Sequence, residues 1–187
     1  MTSDQARTSP KVFLITGIPG VGKTTVSKAL AARFPRAVAI EADWLQAIIV
    51  SGGLWPGEEP HEEVRRQLEL RAKNAAMLAD SFAEAGFLPV IDDVIPGYSR
   101  LQIYLDSLGI RPVALVVLAP ALEVALHRDE HRGYKRVGEQ WAHMDAEIRE
   151  KLAGLGLWLD TGEMTVEEVV DAIVERTDEA VLGVQRG

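Results

Sequence analysis

The chain has 187 residues, 47% hydrophobic and 26% charged, which is enough apolar material for one ordinary globular domain with a sizeable core. It contains no cysteine, which excludes disulfides, thiolate metal sites and cysteine nucleophiles and fits a reducing compartment. The net charge of −8 argues against a nucleic-acid-binding surface, and no apolar run approaches the ~20 residues of a membrane span.

Residues 1–10 are polar and carry Asp4 and Arg7, without the basic-then-apolar plan of a secretory leader. They read as a flexible tail ahead of one domain over 11–187, and a cytoplasmic location is expected. Lys11 to Thr16 (KVFLIT) is a β-branched apolar run ending at Gly17, the pattern of a buried strand. A helix is expected from Lys23 to Arg33, stopped by Pro35, and then a second buried strand from Arg36 to Glu41. Asp43 is placed to cap a short helix from Trp44 to Val50. Residues 51–60 (SGGLWPGEEP) have the Gly and Pro density of a loop.

Val64, Leu68, Ala72, Ala75, Leu78 and Phe82 then recur at helical spacing, with Glu62–Arg66 and Glu69–Lys73 as i,i+4 pairs, predicting a long helix that ends at Gly86. Phe87 to Asp92 is a third strand, Ser99 to Leu108 a helix, and Pro112 to Leu118 (PVALVVL) the most hydrophobic strand. Helices over Ala121–Asp129 and Glu139–Leu152 flank a basic segment; Leu155–Leu159 reads as the last strand and Val166–Ala180 as a final amphipathic helix. Strands that are apolar on both faces and alternate with helices define a three-layer α/β domain, with five parallel strands and helices on both faces.

Gly17-Ile-Pro-Gly-Val-Gly-Lys-Thr24 matches GxxxxGK[ST] between a predicted strand and a predicted helix, the context that the phosphate-binding P-loop requires. Gly17, Gly20 and Gly22 free the backbone to turn its N–H groups inward as an anion nest at a helix N-terminus, with Val21 inside the loop. Lys23 brings a full positive charge to the β- and γ-phosphates. The Thr24 hydroxyl is placed to ligate Mg²⁺, and Thr25 is a nearby phosphate contact. A guanine-reading NKxD motif is missing, since the sole asparagine is Asn74 in mid-helix. Ser51-Gly52-Gly53 resembles part of a transporter-ATPase signature but precedes Asp92 and is not followed by Gln. Both of those classes are therefore rejected.

The chain resembles the P-loop small-molecule kinases that include shikimate kinase, gluconate kinase and especially chloramphenicol phosphotransferase. The resemblance spans nearly the whole chain and rests on GIPGVGKTT at 17–25, IEADWL at 40–45, VIDDV at 90–94 and HRDEHRGYKR at 127–136. It implies the P-loop NTPase fold and transfer of the γ-phosphoryl group of Mg·ATP to a small molecule's hydroxyl. It also implies that Asp43 contacts the acceptor hydroxyl and can take its proton, and that the 127–136 segment is a lid whose arginines, Arg128 and Arg132 foremost, close over the phosphates.

The residues themselves leave alternatives. Asp43 lies past a strand end, where parallel sheets place ligands, yet also suits a plain helix cap, and Glu41 is the fallback base. Asp92 has the position of a carboxylate that holds a water on Mg²⁺, and its neighbour Asp93 should point elsewhere, to substrate or to a turn. Arg128, Arg132, Lys135 and Arg136 outweigh Asp129 and Glu130, as suits either a phosphate-closing lid or a solvated loop. Leu54, Trp55, Pro56 and Trp44 could wall the acceptor or belong to the core. His61, His127, His131 and His143 show no metal-ligand grouping and read as surface residues. Asp160-Thr161-Gly162 resembles the adenine-side loop of the kinases.

Residues 41–60 contain no Lys or Arg, which argues against a phosphorylated acceptor and thus against a nucleotide kinase. A nucleoside or nucleotide kinase and a regulatory ATPase without a small acceptor are the alternatives, and the latter predicts that Asp43 is only a cap. Partners are then ATP and a small hydroxylated molecule, with monomer or homodimer left open.

Overall fold

The computed structural model describes residues 9–130 and 138–183, with side chains described for all of these except 128–130 and 138–140. Five strands form one sheet: β1 (Val12–Thr16), β2 (Ala37–Glu41), β3 (Leu88–Asp92), β4 (Val113–Leu118) and β5 (Leu157–Leu159). Their order is β2-β3-β1-β4-β5 and every pairing is parallel. All residues of β1 and β4 are buried, as expected when helices cover both faces of a parallel sheet.

The helices are α1 (Lys23–Ala32), α2 (Ala42–Ala47), α3 (His61–Glu84), α4 (Tyr98–Ser107), α5 (Leu122–Glu130), α6 (Gly138–Lys151), α7 (Val166–Glu175) and α8 (Thr177–Ala180). Small residues on one face of α3, Ala72, Ala75, Ala76 and Ala79, are fully buried and let that helix lie close on the sheet. It stops where Gly86 N–H donates to Ala83 O and Phe87 N–H to Phe82 O, the paired bonds of a Schellman ending. A capping box opens α7: the Thr165 side chain accepts from Glu168 N–H, and the Glu168 carboxylate accepts from Thr165 N–H.

Strand boundaries match the sequence expectation within two residues, but four local expectations need correction. Glu41, extended at φ −84°, ψ 110°, takes the cap position of α2, and Asp43 sits inside its first turn without capping it. That helix also ends at Ala47, where the β-branched run Ile48-Ile49-Val50 and the glycines beyond disfavour continuation. The last helix breaks at Arg176, at φ −107°, ψ 25°, where the Thr177 hydroxyl donates back to Ile173 O and Val174 O. On α3 the expected Glu62–Arg66 and Glu69–Lys73 pairs give way to Arg65–Glu69 (3.2 Å) and Arg66–Glu63 (3.4 Å). Glu62 and Glu69 each have more than one basic neighbour at helical spacing, and exposed pairs differ by only a few tenths of a kcal/mol.

Register decides what the sheet presents. Ile15 of β1 and Glu41 of β2 both lie beside Asp92 of β3, so the carboxyl ends of three adjacent strands converge. Thr16, fully buried, seals this edge by accepting from Ile95 N–H at 2.9 Å.

Candidate active site

The turn after β1 carries the phosphate-loop motif. Gly17, Gly20 and Gly22 have φ of 144°, 84° and 95°, in the region that favours glycine. A Cβ on Gly17 would lie 2.4 Å from Leu118 O, so the loop also depends on close approach to β4. Lys23 folds across the loop, its Nζ donating to Gly17 O (3.0 Å) and Ile18 O (3.1 Å). A cavity of about 260 Å³ opens beside it, bounded by Gly20, Gly22, Thr25, Thr161, Met164 and Val169. The 160–162 turn, tied by Gly162 N–H to Asp160 Oδ1, is thus brought next to the loop.

At the end of β3 the two adjacent aspartates point apart, as a strand requires. Asp92 accepts from Thr24 Oγ1 at 3.2 Å and from Ser27 Oγ at 2.9 Å, joining the loop to the strand. It is 5% exposed, and burial raises its pKa to about 6 against the lowering effects of the Ser27 hydrogen bond and the Lys23 charge. The donors gathered here are all oxygens, and the buried carboxylate would be stabilised by a hard cation, so the residues fit Mg²⁺. Among the described residues no group of three or more His, Cys, Asp and Glu assembles. Magnesium bound through one carboxylate, a hydroxyl and substrate phosphates needs no such cage.

Asp93 faces the other way, into a buried ionic cluster. Its Oδ1 accepts from Arg71 Nη2 at 2.5 Å and from Val94 N–H at 2.8 Å, and its Oδ2 from Tyr104 OH at 2.8 Å. Burial pushes the Asp93 carboxyl up, opposed by Arg71 and Tyr104; Tyr104 is itself pushed well up by burial and by the Asp93 charge. The other arm of Arg71, Nη1, reaches Asp43 Oδ1 at 2.8 Å. The Asp43 side chain is 69% exposed while that of Arg71 is 5% exposed, so a buried cation holds an exposed carboxylate at the sheet's ligand edge.

Glu41, the fallback base, is instead paired with Lys28 Nζ at 2.6 Å. Trp44 and Trp55 are 62% and 43% exposed, so neither belongs to the core. The loop bearing Trp55 is pinned by two buried glutamines: Gln46 Nε2 donates to Leu54 O and Gln67 Oε1, which also accepts from Leu54 N–H. Arg128 lies in α5 with its side chain outside the described residues, and Arg132, with residues 131–136 of the expected lid, lies outside them altogether, as do residues 1–8 of the expected tail.

Sequence reasoning missed Arg71, Tyr104 and Ser27. Arg71 carried a signal, since it falls on the apolar stripe of α3, seven residues after Val64 and four before Ala75. A charge at a core position asks for a buried partner. The absence of cations over 41–60 also loses its force, because α3 delivers one to Asp43 from outside that stretch.

Fold and site together define a P-loop domain built as the small-molecule kinases are. A family model described as an AAA domain matches residues 14–151, and the chain belongs to that family. Among solved structures it is similar to a tunicamycin resistance protein from Deinococcus radiodurans, at 21% identity and TM-score 0.66, over 92% of this chain and 98% of that one. A sugar kinase from Janibacter sp. shares 18% identity at TM-score 0.64, over 90% of this chain and 95% of that one. A gluconokinase from Sinorhizobium meliloti shares 20% at TM-score 0.61, over 90% and 93%. A search of curated proteins finds no match. Among the described residues no helix is long and apolar enough to cross a membrane.

Proposed function

We propose that the protein is a cytoplasmic, Mg·ATP-dependent phosphotransferase that moves the γ-phosphoryl group to a hydroxyl of a small metabolite or antibiotic. The observation that carries the reading is the placement of Asp43. It is an exposed carboxylate inside α2, free of any capping role, held by Arg71 at the same sheet edge as the Thr24–Asp92 pair. The sugar kinase and gluconokinase among the similar structures support the reaction class, and the tunicamycin resistance protein supports the antibiotic arm.

In this reading the loop N–H groups and Lys23 hold the β- and γ-phosphates, and the 160–162 turn lies on the adenine side. Thr24 and Asp92 would hold magnesium, which when bound would offset the phosphate charge. Asp43 orients the acceptor hydroxyl and accepts its proton as the new O–P bond forms and the bond between the γ-phosphorus and the bridging oxygen breaks, leaving ADP. Arg128 and Arg132 of the lid neutralise the charge that develops on the transferred group.

The test is ADP release from Mg·ATP, alone and with a panel of hydroxyl-bearing metabolites and antibiotics. Release that depends on one acceptor should fall about 10²–10⁴-fold in Asp43→Asn. Release indifferent to every acceptor and to Asp43 would favour a regulatory ATPase.

A further inference from the structure

A second cavity, of about 230 Å³, lies at the other end of the sheet from the phosphate loop. Buried Phe13 and half-buried Phe34 and Leu88 form its inner wall, and exposed Val174, Glu175 and Asp178 stand at its mouth. Phe13 and Leu88 lie near the amino ends of β1 and β3, while the phosphate loop and Asp92 are at the carboxyl ends of the same strands. Leu88 and Asp92 bound a strand that is roughly 13 Å long at about 3.3 Å per residue. The cavity is therefore separate from both the nucleotide side and the Asp43 cluster.

Its inner wall is aromatic. The Phe13 and Phe34 rings are 6.3 Å apart and tilted by 37°, and among the described residues neither has a cation over it, whereas Arg36 covers Phe87. Its mouth is negative. Glu175 has no ion pair among the described residues. The arginines next to the site in sequence are engaged elsewhere: Arg33, beside Phe34, pairs with Asp171 at 2.6 Å, and Arg176, beside Glu175, pairs with Glu179 at 2.8 Å. The helix α7 ends at Glu175 with no basic residue in its last turn, so the partial negative charge of its C-terminus adds to the two carboxylates.

We propose that this cavity binds a small organic ammonium ion, with its apolar body against Phe13, Phe34 and Leu88 and its charge toward Glu175 and Asp178. Charge complementarity selects this class. A neutral apolar molecule gains from the inner wall but nothing from the mouth, and an anion is repelled there. A cation with an apolar body meets both, and the negative faces of the two rings attract it further as water leaves. Sites for drug-sized ligands run from about 300 to 1,000 Å³, so this smaller cavity suits a single substituted ring or a branched alkyl amine. The site stands apart from the phosphotransferase reading and does not depend on it.

The experiment is an NMR titration of the full chain with benzylammonium, benzyl alcohol and benzoate at equal ionic strength. Saturating Mg·ADP keeps the nucleotide-side cavity filled. Saturable shifts of the Phe34, Val174 and Glu175 signals are expected with benzylammonium, at an affinity at least about fivefold above that of benzyl alcohol. Benzoate should bind most weakly. Glu175→Gln should weaken benzylammonium about threefold. Glu167→Gln, which removes the same charge at the far end of α7, should leave it unchanged. Both glutamates are exposed, so neither change disturbs the core. Benzyl alcohol binding as tightly as benzylammonium would overturn the proposal, as would the absence of saturable shifts at these residues. Equal weakening by the two glutamine variants would also overturn it, by reducing the effect to the chain's net charge.

Discussion

Replacing Asp92 by Asn should stabilise the protein at neutral pH and, under the proposed function, weaken magnesium binding. In the folded chain burial raises the Asp92 pKa from 3.8 to about 6, so ionising it there costs about 3 kcal/mol more than in the unfolded chain, at 1.36 kcal/mol per unit of pKa. The sign follows from proton counts. Below the unfolded pKa both states hold the proton and no cost exists. As pH rises through the folded pKa the folded state must release a proton it binds more tightly, and stability falls. About 2 kcal/mol of that loss should appear between about pH 4.5 and 8.

Asparagine cannot ionise and so escapes the loss, but its amide can accept only one of the bonds from Thr24 and Ser27, a cost of about 1 kcal/mol at every pH. The variant should therefore be near parity with the natural chain or slightly weaker at the acid end, and more stable by about 1–2 kcal/mol at the alkaline end. Urea unfolding of both proteins across this range, in the presence of EDTA, measures the difference directly, and effects of other titrating groups cancel. In parallel samples without EDTA, Mg·ATP should raise the stability of the natural chain more than that of the variant. A stability difference that stays constant with pH would refute the reasoning, because it would mean that Asp92 pays no burial cost.

Arg71→Met should destabilise the fold by about 3–5 kcal/mol in urea, since it leaves Asp93 buried without its cation. Adding Asp93→Asn to that variant should recover much of the loss, and a strictly additive double variant would rule out the coupling. Gly17→Ala should lose ATP binding as measured by calorimetry and cost at least about 1–3 kcal/mol, because φ of 144° is strained for alanine and the new methyl meets Leu118 O. Thr165→Ala, which removes the cap of α7 far from the chemistry, should lower stability by about 1 kcal/mol and leave nucleotide affinity unchanged.

The sequence by itself determined the parts of this protein that depend on neighbours along the chain. Runs such as KVFLIT and PVALVVL are strands because β-branched apolar residues buried on both sides suit little else, and the glycines before Lys23 and Thr24 dictate a phosphate loop through backbone sterics alone. Strand and helix alternation then left few topologies, so the layered parallel sheet was legible, as was the divergence of Asp92 from Asp93. Cap positions and the choice among exposed ion pairs were not, because they turn on differences of a few tenths to about 1 kcal/mol that local spacing does not resolve.

Only the tertiary structure decided what surrounds Asp43. Arg71 lies 28 residues from Asp43 and 22 from Asp93, and Tyr104 comes from another helix, so no local pattern relates them. Burial excludes water from that cluster, and in its absence each charge must find its counter-charge through packing of α2, α3 and α4 against the sheet.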